Sequence, residues 1–229
     1  MERCQGGEAA LRIVDLSMPI GEHFRWRPRI EVDQGDLFRV TKLQTTCHGF
    51  SHVDAQAHFV RGGPTIEATP LAKVVGPCRI LDLSAAPENA AIEPDRLEAA
   101  DPGGPEDEIL LLATHWSERR DYTEPNFWTE APWLSRASAE WLLARRPRAV
   151  AVDFPQDYAI RLLLDGVMAP EAEHVTHDVL LRAGVTLIEY VVNTAALAGP
   201  RTFLCAAPLL IPGADGAPAR VFAIEGLDA

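Results

Sequence analysis

The chain has only four cysteines, Cys4, Cys47, Cys78 and Cys205, and no two of them form a Cys-x-x-Cys pair. Neither a zinc ribbon nor a disulfide framework is indicated, so the thiols are expected to be reduced in a cytoplasmic protein. No apolar run approaches the ~20 residues that cross a bilayer, and Met1-Glu-Arg-Cys-Gln-Gly-Gly-Glu8 lacks the apolar core of a signal peptide, so no membrane partner is expected. Basic residues are scarce: 21 Lys and Arg face 33 Asp and Glu, for a net charge of -12. A nucleic-acid partner requires clustered positive charge, and Arg119-Arg120 and Arg145-Arg146 are isolated pairs, so no nucleic acid is expected either. Repeats and low-complexity tracts are absent as well.

What remains is a chain of 229 residues, 47% of them hydrophobic, which suffices for one large domain with a full core. Residues 1–10 read as a loose tail and 11–229 as a single domain. The chemistry concentrates in Cys47-His48-Gly49-Phe50-Ser51-His52-Val53-Asp54-Ala55-Gln56-Ala57-His58-Phe59, which holds three of the seven histidines. His48, His52, Asp54 and His58 are all even-numbered and would share one face of an extended chain. A straight strand would nevertheless put His48 and Asp54 about 20 Å apart, whereas metal ligands lie about 2 Å from their ion. The segment is therefore expected to bend, at Gly49 and Ser51. A histidine-rich loop with no ion is the plain alternative. Cys47 adjoins the segment and is a possible ligand, although a lone cysteine is more often a small buried hydrophobe.

Along the chain, Leu11–Leu16 has a strand pattern, and the loop after it carries His23, Phe24 and Trp26, as pocket wall or as packing. Asp36–Thr46 alternates as a strand leading directly into the histidine segment. Strands are also expected at Arg79–Leu83, Glu108–Ala113, Ala149–Asp153, Val185–Val192, Thr202–Ala206 and Arg220–Ile224, with an ordered aromatic loop over 117–134. A helix is expected from an N-cap at Ser135 to Arg145, and another from Pro170 to Gly184, with acids in its first turn and glycine at its end. Asp153, ending a buried strand, is either catalytic or the cap of the next turn. Strands interleaved with helices give one α/β domain with a mixed sheet.

Glu189 lies in an apolar strand pattern, and a carboxylate buried there needs a cation or a hydrogen-bonded proton. His177 precedes it by a helix end and a turn, with His174 as a competitor one helical turn away. Five candidate ligands result: His48, His52, Asp54, His177 and Glu189. Their imidazoles and carboxylates favour zinc or manganese, with one or two ions per subunit. His58 is left as the general acid and base.

The pattern His48-x-x-x-His52-x-Asp54-x-x-x-His58-Phe59, together with His177-x-x-Leu180-Leu181-x-x-Gly184-x-x-x-x-Glu189, resembles the signature of the cyclase family that includes bacterial kynurenine formamidase and isatin hydrolase. Phe59-Val-Arg-Gly-Gly-Pro64, Val75-Gly-Pro77 and Pro208-x-x-Ile211-Pro212-Gly-Ala-Asp-Gly216 extend the resemblance over nearly the whole chain. It implies a swivelling β/β/α architecture, a homodimer or homotetramer, and hydrolysis of a small amide or lactam. It further implies one ion on His48, His52 and Asp54, a second on Asp54, His177 and Glu189, and His58 as proton donor and acceptor. Trp26 corresponds to a substrate-contacting tryptophan, and Phe50 is placed with it on the substrate side. The chain departs from the family at Phe50-Ser51, where Gly-Thr is usual, at Gln56, where proline is usual, and at Trp26-Arg27-Pro28. These departures bear on the substrate rather than the metal chemistry. The alternatives are a cyclase or dehydratase acting on a carbonyl substrate and a binding module that retains the metal for structure.

Overall fold

The computed structural model describes residues 11–227. The loose tail expected over 1–10 lies outside the described residues. In chain order the strands are β1 (Arg12–Asp15), β2 (Arg29–Gln34), β3 (Arg39–Gln44), β4 (His52–Asp54), β5 (Val75–Asp82), β6 (Ala91–Ile92), β7 (Ile109–Ala113), β8 (Trp133–Leu134), β9 (Ala149–Val152), β10 (Thr186–Glu189), β11 (Arg201–Cys205), β12 (Gly216–Pro218) and β13 (Phe222–Glu225). Nine of them form one mixed sheet in the order β1-β13-β11-β5-β7-β9-β10-β4-β12. The central β5, β7, β9 and β10 run parallel, and antiparallel strands extend the sheet on both sides. This is the mixed α/β architecture the sequence led us to expect.

The apolar runs of β7 and β9 are buried throughout, as central parallel strands covered on both faces must be. Their alternation divides two cores. Leu110, Leu112, Val150 and Val152 join the helices and the aromatic loop, while Ile109, Leu111, Ala149 and Ala151 face the other side with Val53, Ile188 and Leu204. Ser17 bridges Val191, and Val192 N–H donates to Leu16 O at 3.0 Å, so the edge strand β1 returns to the end of β10 and the sheet curls. The small side chains of Ala149 and Ala151 suit that crowded inner face. On the outer face the helix Arg136–Ala144 begins where expected, with Ser135 Oγ accepting from Ser138 N–H at 3.2 Å.

Asp153 has a structural place. It is fully buried and accepts from Thr114 N–H (2.9 Å), Thr114 Oγ1–H (2.7 Å), His115 N–H (2.8 Å) and Thr194 Oγ1–H (2.6 Å). Burial pushes its carboxyl up while these four donors favour the ionised form. It thus ties the ends of β7 and β9 to the stretch after β10.

The strand expected over 36–46 forms as β3, and it pairs with β2 in a separate hairpin whose strand residues are all exposed. Two other expectations are corrected. The continuous helix over 170–184 is instead a 3-10 turn, Glu171–Glu173, followed by a π turn, His177–Leu181. Asp157 accepts Thr176 N–H at 2.8 Å and pins the start of that turn, and Arg182 N–H reaches back to His177 O at 3.0 Å across five residues. Such widened turns recur where a side chain must be held at a site. Finally, β10 stops at Glu189, which therefore stands at the end of a strand rather than in its middle.

Candidate metal centre

The register of three strands builds the centre. β4 lies between β10 and β12, with His52 opposite Glu189 and Asp54 opposite Gly216. Val53 enters the core, so the period of two turns His52 and Asp54 to the other face. The bend before β4 runs through Gly49, Phe50 and Ser51, taking in both expected positions, with Phe50 at a φ of 59°. Gly49 also serves close approach: a Cβ there would lie 3.0 Å from Thr46 Cγ2 and 3.3 Å from Trp26 Cγ. After β4 a 3-10 turn, Gln56–His58, folds the chain back and stacks the His58 ring on His48 with centroids 3.7 Å apart.

Asp54 is the hub. Its Oδ1 lies 2.8 Å from His48 Nδ1 and 3.3 Å from His52 Nε2, and its Oδ2 lies 3.6 Å from His177 Nε2. Glu189 completes the set, with Oε2 at 3.7 Å from His52 Nε2 and Oε1 at 3.7 Å from His177 Nε2. His52 Nδ1–H donates to Phe50 O at 2.9 Å and His177 Nδ1–H donates to Asp157 Oδ2 at 2.7 Å, so both rings turn Nε2 towards the carboxylates. The two ligand segments, more than a hundred residues apart in sequence, meet as expected. Two groups of three have ligand atoms within 4.8 Å of one another, His48–Asp54–His58 and His52–Asp54–Glu189. Strand register pairs His52 with Glu189, and the turn after β4 pairs His58 with His48.

Electrostatics follows from that crowding. Burial opposes ionisation of Asp54, but His177, His48 and His52 hold its carboxyl well below the usual range. Burial and then the charge of Asp54 push Glu189 up. Burial opposes a proton on His177, yet Asp157 and Asp54 hold the ring well above an ordinary histidine. His58 is lowered, chiefly by burial.

A divalent ion fits these residues. Asp54 Oδ2 is buried without a hydrogen-bond partner, and so is His48 Nε2, which lies 3.0 Å from Asp215 Oδ2 but out of hydrogen-bond alignment. Ligand atoms of a tetrahedral ion at about 2.0–2.1 Å stand about 3.3 Å apart, close to the spacings around Asp54. Imidazole and carboxylate donors without thiolate suit zinc or manganese.

Other expected residues fall elsewhere. His174 caps the 3-10 turn, its ring 6.3 Å from that of His177. Cys47 belongs to neither ligand group. Phe50 is corrected: its ring is 1% exposed inside the core, because the bend that aims its carbonyl at His52 turns its side chain inward. Trp26 is half-buried and packs on Phe50, Trp128 and Tyr190, at centroid distances of 4.6, 5.2 and 6.4 Å. Sequence reasoning missed Gln156, Asp157 and Asp215. Asp215, 3.5 Å from His58 Nδ1, lies in the turn Pro212–Gly216, and its position between glycines was the available signal.

Gly216 is required by the same packing, since a Cβ there would stand 2.6 Å from His48 Cε1 and 2.8 Å from Val53 O. Gly216→Ala is expected to destabilise the fold by about 1–3 kcal/mol, the usual cost of overpacking, and to weaken metal binding by displacing His48. Thermal melts and metal titration check this, and a variant indistinguishable from the parent in both would refute it.

The curled mixed α/β sheet with a buried cluster of histidines and carboxylates at its register defines a class of metal-binding α/β protein. A family model described as Putative cyclase matches residues 14–156, and the chain belongs to that Cyclase family. It is 28% identical over 221 residues to a kynurenine formamidase of Bordetella petrii, covering 95% of this chain and 93% of the relative. A Bacillus stearothermophilus structure described as a predicted metal-dependent hydrolase superposes with a TM-score of 0.74 at 29% identity, over 94% of this chain and 99% of the other. Isatin hydrolase A of Labrenzia aggregata shares the fold, with a TM-score of 0.78 at 23% identity over 93% of each chain.

Proposed function

We propose that this protein is a metal-dependent hydrolase that cleaves a carbon–nitrogen bond of a small amide or lactam. The observation that carries the reading is Asp54, a buried carboxylate facing three imidazoles with one oxygen left without a hydrogen bond. The kynurenine formamidase relative, aligned over nearly its whole length, supports the amide class.

His48, His52, Asp54, His177 and Glu189 would hold the ion or ions, zinc or manganese. Bound there, a divalent ion supplies Lewis acidity towards a carbonyl oxygen and lowers the pKa of water. His58 accepts the proton from the attacking water and returns it to the leaving nitrogen, so that water adds across the broken bond. Its ring suits that shuttle, with a side chain 30% exposed beside buried donors. Asp215 orients it. Trp26, half-exposed over Phe50 and Tyr190, offers an aromatic wall for an aryl substrate.

The protein acts as a homodimer or homotetramer in the cytoplasm, with residues 11–229 as one domain. The β2–β3 hairpin supports assembly, because Ile30 registers with Leu43 and, with Val32, leaves an exposed apolar face on an element marginal by itself. Among the described residues no helix is long and apolar enough to cross a membrane.

Metal analysis of the purified protein, with assays on N-formylkynurenine, isatin and a simple N-formyl arylamine, tests the reading. Bound divalent metal and turnover of at least one amide that chelation abolishes are expected. A metal-free protein inert towards all three would refute it.

A further inference from the structure

Behind His177, on the side away from Asp54, lies an acid that the proposed reaction does not use. Asp157 follows β9 in the loop Asp153-Phe-Pro-Gln-Asp157, and its side chain has no solvent exposure. Its Oδ2 accepts from His177 Nδ1–H at 2.7 Å and from Thr176 Oγ1–H at 3.0 Å, and its Oδ1 accepts from Thr176 N–H at 2.8 Å. The preceding residue grips the other ligand of this end: Gln156 Nε2–H donates to Glu189 Oε1 and, at 3.1 Å, to Thr176 Oγ1. One buried dipeptide thus holds both His177 and Glu189 from behind. The other end is looser, because His48 and His58 lean on Asp215, whose side chain is 50% exposed.

A carboxylate on the far nitrogen of a ligating imidazole fixes both ring rotation and tautomer, leaving the near nitrogen's lone pair for the ion. We propose that Asp157 is a positioning residue for the cation. By holding His177 Nε2 towards Asp54 and Glu189 it makes the buried end of the centre the tight site, and leaves the His48 end the weaker one. This rests on the metal reading of the centre and not on hydrolysis.

Calorimetric titration of metal-free protein with zinc tests it. Asp157→Ala is expected to weaken the tightest binding event by about 10- to 100-fold, as loss of an outer partner does. Asp157→Asn, which keeps an acceptor oxygen without the charge, is expected to lose up to about 10-fold, and Asp215→Asn less than either. A purely structural role would lower the melting temperature of the metal-free variants without moving their zinc affinity. The proposal is overturned if Asp157→Ala binds zinc within twofold of the parent, or if Asp215→Asn weakens the tightest event more than Asp157→Ala does. If Asp157→Ala does not fold, parental affinity in Asp157→Asn overturns it. A parent that binds zinc but hydrolyses no amide refutes the hydrolase reading alone. A parent that binds no divalent ion overturns the positioning role as well.

Discussion

Asp54→Ala is expected to lose bound metal and to lower kcat/KM by about 10³-fold or more. The size follows from what the ion would contribute, since several kcal/mol of Lewis-acid stabilisation at 1.36 kcal/mol per tenfold amounts to that factor. Asp54 is the position with the widest reach: its two oxygens face His48, His52 and His177, and it belongs to both groups of three. Loss of any imidazole leaves two others facing the same carboxylate, whereas loss of Asp54 removes the group that all three face. It also removes a buried negative charge that favours protonation of His48 and His177. Breaking a buried pair from one side costs about 3–5 kcal/mol, so the metal-free variant should also melt earlier. Asp54→Asn keeps the shape of the side chain and separates the two effects, with most of the stability retained and most of the metal lost. Metal content, melting temperature and kcat/KM of both variants decide the matter. An Asp54→Ala protein with full metal occupancy and parental activity would refute the bridging role.

How much of this was legible beforehand depends on which residues are asked about. The histidine segment declared itself through composition, because imidazoles among small and apolar residues have few uses. Its even-numbered alternation holds only for His52 and Asp54, since β4 is three residues long and His48 and His58 arrive from turns on either side. Glu189 was legible as an acid in an apolar run, but its place opposite His52 is a matter of strand register, which no periodicity in one segment fixes. Asp157 was not legible, and Asp215 only through its place between glycines, because acids in loops are common and little local separates one that orients an imidazole from one in solvent. The β2–β3 segment shows the same limit from the other side: alternation revealed an amphipathic strand and said nothing of which strand it would join. The sheet was read correctly where strands are buried on both faces, as in β7 and β9, since an apolar run of that length has few other places to go.

His58→Ala is expected to lower kcat by about 10²–10⁴-fold, the usual contribution of a positioned acid and base, while the protein keeps its metal. That pairing of outcomes separates it from Asp54→Ala, which should lose both. The expectation stands on where the ring sits. His58 is outside the buried knot, stacked on His48 with centroids 3.7 Å apart and with Nδ1 3.5 Å from Asp215 Oδ2, so its removal leaves Asp54, Glu189, His52 and His177 in place. The same stacking brings it within 4.8 Å of His48 and Asp54 ligand atoms, so the geometry also admits a ligating role. Metal analysis divides the two. A shuttle predicts parental occupancy with slow turnover and little change in KM, and His58→Gln, which hydrogen-bonds but does not exchange protons near neutral pH, should be nearly as slow as His58→Ala. A ligand predicts reduced occupancy and activity recovered by excess metal, and that result would move His58 from proton transfer to the ion itself.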